Sequence, residues 1–262
     1  MVKKLILAIC VFVALSLNSL ALGSTYYIWN DYGGTWSDTN KLYDGHDENL
    51  CWAAAASNIL TWAGWNASYP TADDKFSYFK SNWTNEGSWP AMGWLWWFDG
   101  VNPRQGVPGW SQVISYSEPP SSGNFYHDQI QGSLSLGYGR GIFDAIVGDL
   151  KAGFGVGIDI YKGSSDAHTV SVWGYEYDAQ NNYLGLYITD SDDGVSGLRY
   201  YDVGFSDNRY YLENYYDTYN AWWIYGVEGL GRNVSAVPEP SAILLLIGGL
   251  TGLVGLRKSL KE

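Results

Sequence analysis

Cysteine is nearly absent: the 262 residues hold two, Cys10 and Cys51. A disulfide framework is therefore excluded as the source of stability. Histidine is scarce as well, with only His46, His127 and His168, so any imidazole chemistry must draw on one of three positions. Positive charge is outnumbered, at 15 Lys and Arg against 27 Asp and Glu, for a net charge of −12. Five of the basic residues, Lys3, Lys4, Arg257, Lys258 and Lys261, lie in the terminal segments, so the central region is more acidic still. Such a surface repels nucleic acid and anionic membrane, and neither is expected as a partner. The apolar run near the N-terminus is shorter than the ~20 residues of a comfortable membrane span, whereas the one near the C-terminus is expected to form a short transmembrane segment. No internal repeat is present, which excludes a solenoid.

The ends are compositionally distinct from the centre. Residues 1–23 carry Lys3 and Lys4, an apolar run from Leu5 to Leu17, and the small-residue stretch Ala21-Leu22-Gly23. That order is expected of a secretory signal peptide cut near Gly23. Its removal takes Cys10 away and leaves Cys51 as the one thiol of an exported chain. Residues 237–262 read Pro238-Glu239-Pro240, an apolar run from Ala242 to Leu256, then Arg257, Lys258 and Lys261. This resembles the PEP-CTERM sorting signal of exported bacterial proteins. The resemblance implies removal by an exosortase-type machinery, with membrane attachment only through this segment and a final place at the cell surface or in the extracellular matrix. A plain C-terminal anchor is the alternative, and the basic end fits a cytoplasmic terminus under either. Residues 24–236 are left as one domain of ordinary size.

Within that domain, residues 26–45 are Tyr-, Gly- and Asp-rich and are expected to be extended. A helix is expected from about Asn49 to Ala63, with Asp47 or Asn49 as its cap, alanines in its middle and Gly64 at its end. Further helices are expected around Thr71–Trp83 and Ile142–Ala152. Residues 84–126 read as a Gly-, Pro-, Ser- and Trp-rich stretch. Gly155–Tyr161, Ala167–Tyr177, Tyr183–Thr189 and Gly197–Tyr201 read as strands, with Asn181-Asn182 a hairpin turn between two of them. Helices first and an antiparallel sheet later give an α+β fold.

The chemistry-bearing residues follow from this placement. Cys51 falls in the first turn of the Asn49–Ala63 helix, where the helix dipole and unpaired N–H groups favour a thiolate and can also hold an oxyanion. Read alone, it is equally a small core residue of an Ala-rich helix. His46 lies in a polar loop, and His127 lies in a Tyr-rich loop. His168 opens a strand, which fixes its direction and makes it the candidate base. Asp190, at the end of the following strand, is the candidate to orient the imidazole, and Asp192 competes for that role. Simple hairpin register does not bring His168 opposite Asp190, so a bulge is required. The acidic run is otherwise a solvated turn, and its glycine falls one position early for a calcium loop. No metal or other cofactor is expected.

The blocks Asn49-Leu50-Cys51-Trp52-Ala53-Ala54-Ala55, His168 to Asp178, Thr189-Asp190-Ser191-Asp192 and Arg140-Gly141-Ile142-Phe143-Asp144 resemble the streptococcal immunoglobulin-degrading endopeptidases of the IdeS/Mac type. The resemblance implies a papain-like cysteine protease fold, with an N-terminal helical half carrying the nucleophile and a C-terminal antiparallel sheet carrying His and Asp. It implies Cys51 as nucleophile, His168 as base, Asp190 as the third triad member 22 residues on, Asp192 as a nearby auxiliary, and Lys41 at the oxyanion site. Protein or peptide is the implied substrate. Trp52 departs from the family, where a small residue follows the thiol. Amidases, transglutaminases and crosslinking enzymes use the same triad, so hydrolysis and acyl transfer both stay open. A non-catalytic reading remains as well, in which Trp94, Trp96 and Trp97 form a platform for sugars in a matrix-binding protein. Core packing is the competing role for the same rings.

Overall fold

The computed structural model describes residues 23–65, 68–100, 131–163, 166–192, 194, 196–216 and 222–233. His127 and both terminal segments lie outside them. Helices occupy the first part of the chain and strands the second, an α+β arrangement. Strand β1 (Ser24–Tyr27) runs directly into a one-turn helix, α1 (Ile28–Tyr32). Three longer helices follow: α2 (Cys51–Trp62), α3 (Ala72–Asn82) and α4 (Pro90–Asp99). Then come β2 (Gln131–Leu136), α5 (Gly141–Ala152), β3 (Gly155–Lys162), β4 (Asp166–Tyr177), β5 (Tyr183–Thr189), β6 (Arg199–Ser206), β7 (Arg209–Leu212) and β8 (Trp222–Leu230).

The sheet is antiparallel throughout and closes on itself. β4 pairs β3, β3 pairs β8, and the order continues through β7, β6 and β5 back to β4. Closure removes the exposed edges that a flat sheet of this length presents. β1 lies along the second half of β4, with Tyr27 opposite Gly174, and β2 pairs with β8. Gly174 is required there. A Cβ on it would stand 2.4 Å from the Tyr26 carbonyl oxygen and 2.7 Å from the Tyr27 ring.

Helix α2 is the spine of the molecule. From Trp52 to Leu60 every residue is buried, and the helix packs against β3 and β4. Its alanines let the sheet approach closely. Gly155 and Gly157 of β3 continue that contact, since a Cβ at either would meet Ile59 or Pro90. α3 begins with a capping box, Thr71 accepting from the Asp74 N–H while the Asp74 carboxylate accepts from Thr71.

The Trp-rich segment, to which the sequence pattern assigns no element, forms helix α4. Pro90 supplies the preset first-turn backbone and Gly100 the left-handed C-cap. Trp94, Trp96 and Trp97 are fully buried, and Phe79 packs against Trp52, Trp96 and Trp97. The three indoles are therefore core, unavailable as a sugar-stacking platform. The N-terminal stretch is likewise not uniformly extended, because α1 interrupts it. The strand placed at Gly197–Tyr201 runs from Arg199 to Ser206, and β7 and β8 had no expectation in the sequence. No helix among the described residues is long and apolar enough to cross a membrane.

Candidate active site

Cys51 opens α2 as its first helical residue. The expected caps do other work. Asp47 is fully buried and accepts the N–H groups of Leu42 and Tyr43, while the Asn49 N–H donates to Asn85. Leu50 occupies the N-cap position, and no side chain caps the helix. The positive end of the helix is thus left facing the cleft beside the thiol. Trp52, the bulky residue beside the thiol, directs its indole into the core. Its Nε1 donates to the Glu86 carbonyl at 3.0 Å, and its ring meets Phe79 and Trp83 edge-on.

His168 lies near the start of β4 and is buried. Its Nε2 is 2.7 Å from Asp190 Oδ1. The side chain lines the same cleft as Cys51, close enough for each to shift the other's acidity. With Nε2 committed to Asp190, Nδ1 is the nitrogen available to the sulfur, and it stands 3.5 Å from Asp192 Oδ2. The required irregularity in the hairpin is present. The β4–β5 register shifts between Val172 and Gly174 and again between Glu176 and Tyr177. The turn itself is held by Asp178, which accepts from Gln180 and Asn182, with Asn181 in the left-handed region.

Asp190 is surrounded by donors. Besides His168, it accepts the Asp192 N–H at 2.9 Å on Oδ1 and the hydroxyls of Tyr215 and Tyr216 on Oδ2, the latter at 3.0 Å. The two tyrosines follow β7 and had no signal in a sequence holding 22 tyrosines. Lys41 is buried, and its Nζ lies 2.6 Å from Asp192 Oδ1 and 2.6 Å from the Glu48 carbonyl oxygen. Its backbone N–H donates to the Ser191 carbonyl, tying this strand of coil to the end of β5. The structure therefore brings Cys51, His168, Asp190, Asp192 and Lys41 together. His46 is exposed in the loop before α2 and takes no part in this cluster.

The electrostatics follow from the geometry. Burial pushes the Cys51 thiol up, but the charge and hydrogen bond of His168, helped by Lys41, outweigh it and bring the thiol below its ordinary value. Burial likewise opposes charge on His168, yet Cys51 and Asp190 hold the imidazolium well above the ordinary histidine range. Burial works against Asp190 too, and the bonds from His168, Tyr215 and the Asp192 N–H pull it down to about 2. Both shifts run toward a thiolate–imidazolium pair, resting on an ionised Asp190.

A cleft of about 510 Å³ opens beside the pair, lined among others by Cys51, His168, Lys41, Trp89, Asp159 and Tyr161. Ligand atoms of His168, Asp190 and Asp192 lie within 4.8 Å of one another, the spacing of a metal-binding group. Here those atoms are already engaged with one another, with the tyrosines and with Lys41.

The family model Mac 1 matches residues 118–210. The matched stretch contains His168, Asp190 and Asp192 and stops short of Cys51 and Lys41. The match is compatible with a hydrolase. No curated protein matches the chain.

Proposed function

We propose that this protein is a cysteine-type endopeptidase with a papain-like arrangement of nucleophile and base. One observation carries the reading: the half-buried Cys51 at an uncapped helix start lines the same cleft as His168, whose Nε2 is held by Asp190. A thiol of lowered pKa beside an imidazolium is the activated form of a sulfur nucleophile.

In this mechanism the Cys51 thiolate attacks a peptide carbonyl and forms a C–S bond. The carbonyl oxygen becomes an oxyanion held by the Cys51 N–H at the positive end of α2, in the field of the Lys41 ammonium. The His168 imidazolium gives its proton to the amine as the C–N bond breaks. Water then enters, giving one proton back to His168 as its oxygen attacks the thioester. Collapse releases the carboxylic acid and restores the thiolate–imidazolium pair. Asp190 fixes ring and tautomer throughout. The residues that separate hydrolysis from acyl transfer are those that admit water or a second amine, and hydrolysis is taken as the simpler outcome for an open cleft.

The reading extends to the whole chain: a signal peptide over 1–23, the peptidase domain over 24–236, and a PEP-CTERM-like sorting tail over 237–262. The terminal assignments rest on the sequence pattern alone. They make the protein exported, processed by an exosortase-type machinery, and attached to membrane only through its tail. Immunoglobulin is not carried over as substrate, because that specificity belongs to surfaces outside the triad.

The test is cleavage of a proteome-derived peptide library by the purified protein and by Cys51→Ala. The variant is expected to melt within a few degrees of the parent and to lose turnover by about a millionfold, to the detection limit. Cleavage that persists in Cys51→Ala would sink the assignment.

A further inference from the structure

Asp159 plays no part in the mechanism above, yet it lines the same cleft as Cys51 and His168. It stands on β3 opposite Thr169, two residues along from Gly157, on the face that looks toward α2 and the start of α4. Its Oδ1 accepts the Thr169 hydroxyl at 2.6 Å. Its Oδ2 is buried and has no hydrogen-bond partner among the described residues, although the residue is only 3% exposed. A buried carboxylate oxygen without a donor carries its desolvation penalty uncompensated, so such a position calls for a ligand.

The surroundings specify which ligand. Glu228 on β8 sits opposite Gly157 and faces the same way, so two carboxyls share one dry patch of sheet. The charged neighbours acting on Asp159 are His168 and Glu228. Lys41, the lysine of the cleft, is already held by Asp192 and the Glu48 carbonyl. Burial pushes Asp159 up to about 7 and Glu228 well above the carboxylate range, so a cation arriving at the cleft would find a proton to displace. Tyr161, two residues along the same face of β3, also lines the cleft and offers a ring for an aliphatic stem. Ser88, which also lines the cleft, holds a second buried oxygen without a partner among the described residues.

We propose that Asp159 is the base of a side-chain subsite next to the nucleophile that takes lysine or arginine from the substrate. The stem lies along Tyr161, and the cationic head meets Asp159 Oδ2, with Ser88 Oγ as a further acceptor. This deepens the peptidase reading and rests on it.

The experiment measures how fast peptidyl acyloxymethyl ketones label Cys51 of the full chain, read by intact mass. Paired probes carry lysine or norleucine, or arginine or its neutral isostere citrulline, at either of the two residues before the ketone. The basic probe is expected to label at least tenfold faster at one position, and in Asp159→Asn that ratio is expected to fall to near one. Equal rates within each pair on the unmodified protein overturn the subsite and need no variant to fold. A ratio that survives in Asp159→Asn overturns it also. Iodoacetamide provides the separate control: if it labels Cys51 and no peptidyl probe does, the peptidase reading fails and the subsite with it.

Discussion

Replacing Asp190 by Asn keeps the shape of the side chain and removes its charge, and the consequence can be worked out from the site. The carboxyl falls from its ordinary 3.8 to about 2 in the folded protein. At about 1.4 kcal/mol per unit, the buried site favours the ionised form by roughly 2 kcal/mol. Loss of that charge withdraws support from the His168 imidazolium, worth roughly 30- to 60-fold in rate. The amide also presents an N–H where an acceptor is needed, so the imidazole loses its fixed tautomer, and the total loss in kcat/KM is expected to lie between about 10² and 10⁴. The sign of the pH dependence is fixed as well. A group with a depressed folded pKa contributes stability above its unfolded value, lost as pH falls through the folded one. The parent should thus outlast Asp190→Asn in thermal melts above pH 4, with the gap closing toward pH 2. His168 has the opposite sense. Its raised pKa sets the alkaline limit of the ion pair, so that limb of the pH–rate profile moves to lower pH in the variant. The assays are kcat/KM of a fluorogenic peptide across pH, iodoacetamide alkylation of Cys51 across pH, and melting at pH 2–7. A variant within threefold of the parent in kcat/KM, with its alkaline limb unmoved, would refute the role given to Asp190.

Two further outcomes follow from neighbouring residues. Lys41→Met removes the cation that lowers the Cys51 thiol and leaves Asp192 alone beside His168. The alkylation midpoint of Cys51 should rise by up to about one pH unit, a tenfold smaller thiolate fraction at a fixed acidic pH, and an unshifted midpoint would show that Lys41 acts on neither group. Gly174→Ala forces a methyl into the Tyr26 carbonyl and the Tyr27 ring, so β1 must move off β4. A loss of about 1–3 kcal/mol is expected, seen as a fall of several degrees in melting temperature, and an unchanged melt would mean that β1 adds nothing to stability.

Much of the fold was legible in the sequence because each readable element obeyed one local rule. Alanines and a trailing glycine marked α2, and the Asn181-Asn182 turn marked the β4–β5 hairpin, while the capping box that starts α3 is seen in the structure. The misses had a different origin. α4 was hidden because three Trp, a Phe and one Gly in its short sequence give weak intrinsic helix preference. Its helix depends on packing: the indoles of Trp94, Trp96 and Trp97 are stabilised by burial against α2 and α3, at roughly 4–6 kcal/mol for each large aromatic. β8 escaped notice because its partners β2 and β3 lie far off in sequence, and β7 because it is only four residues long, although its partner β6 ends just before it at the Asp207-Asn208 turn.

The site divides in the same way. Sequence by itself determined which atoms were candidates, since one thiol outside the leader-like segment and three histidines leave few combinations, and the 22-residue spacing of His168 and Asp190 was readable as it stood. Tertiary structure decided their states. Closure of the sheet carries Tyr215 and Tyr216 onto Asp190, two shifts in the β4–β5 register bring His168 and Asp190 together, and Asp47 is drawn off to brace the preceding loop, leaving the start of α2 uncapped. It also set Asp159 and Glu228 side by side across two strands separated by over sixty residues. Acidity depends on which charges and dipoles stand within a few ångströms in a dry place, and chain order does not encode that distance.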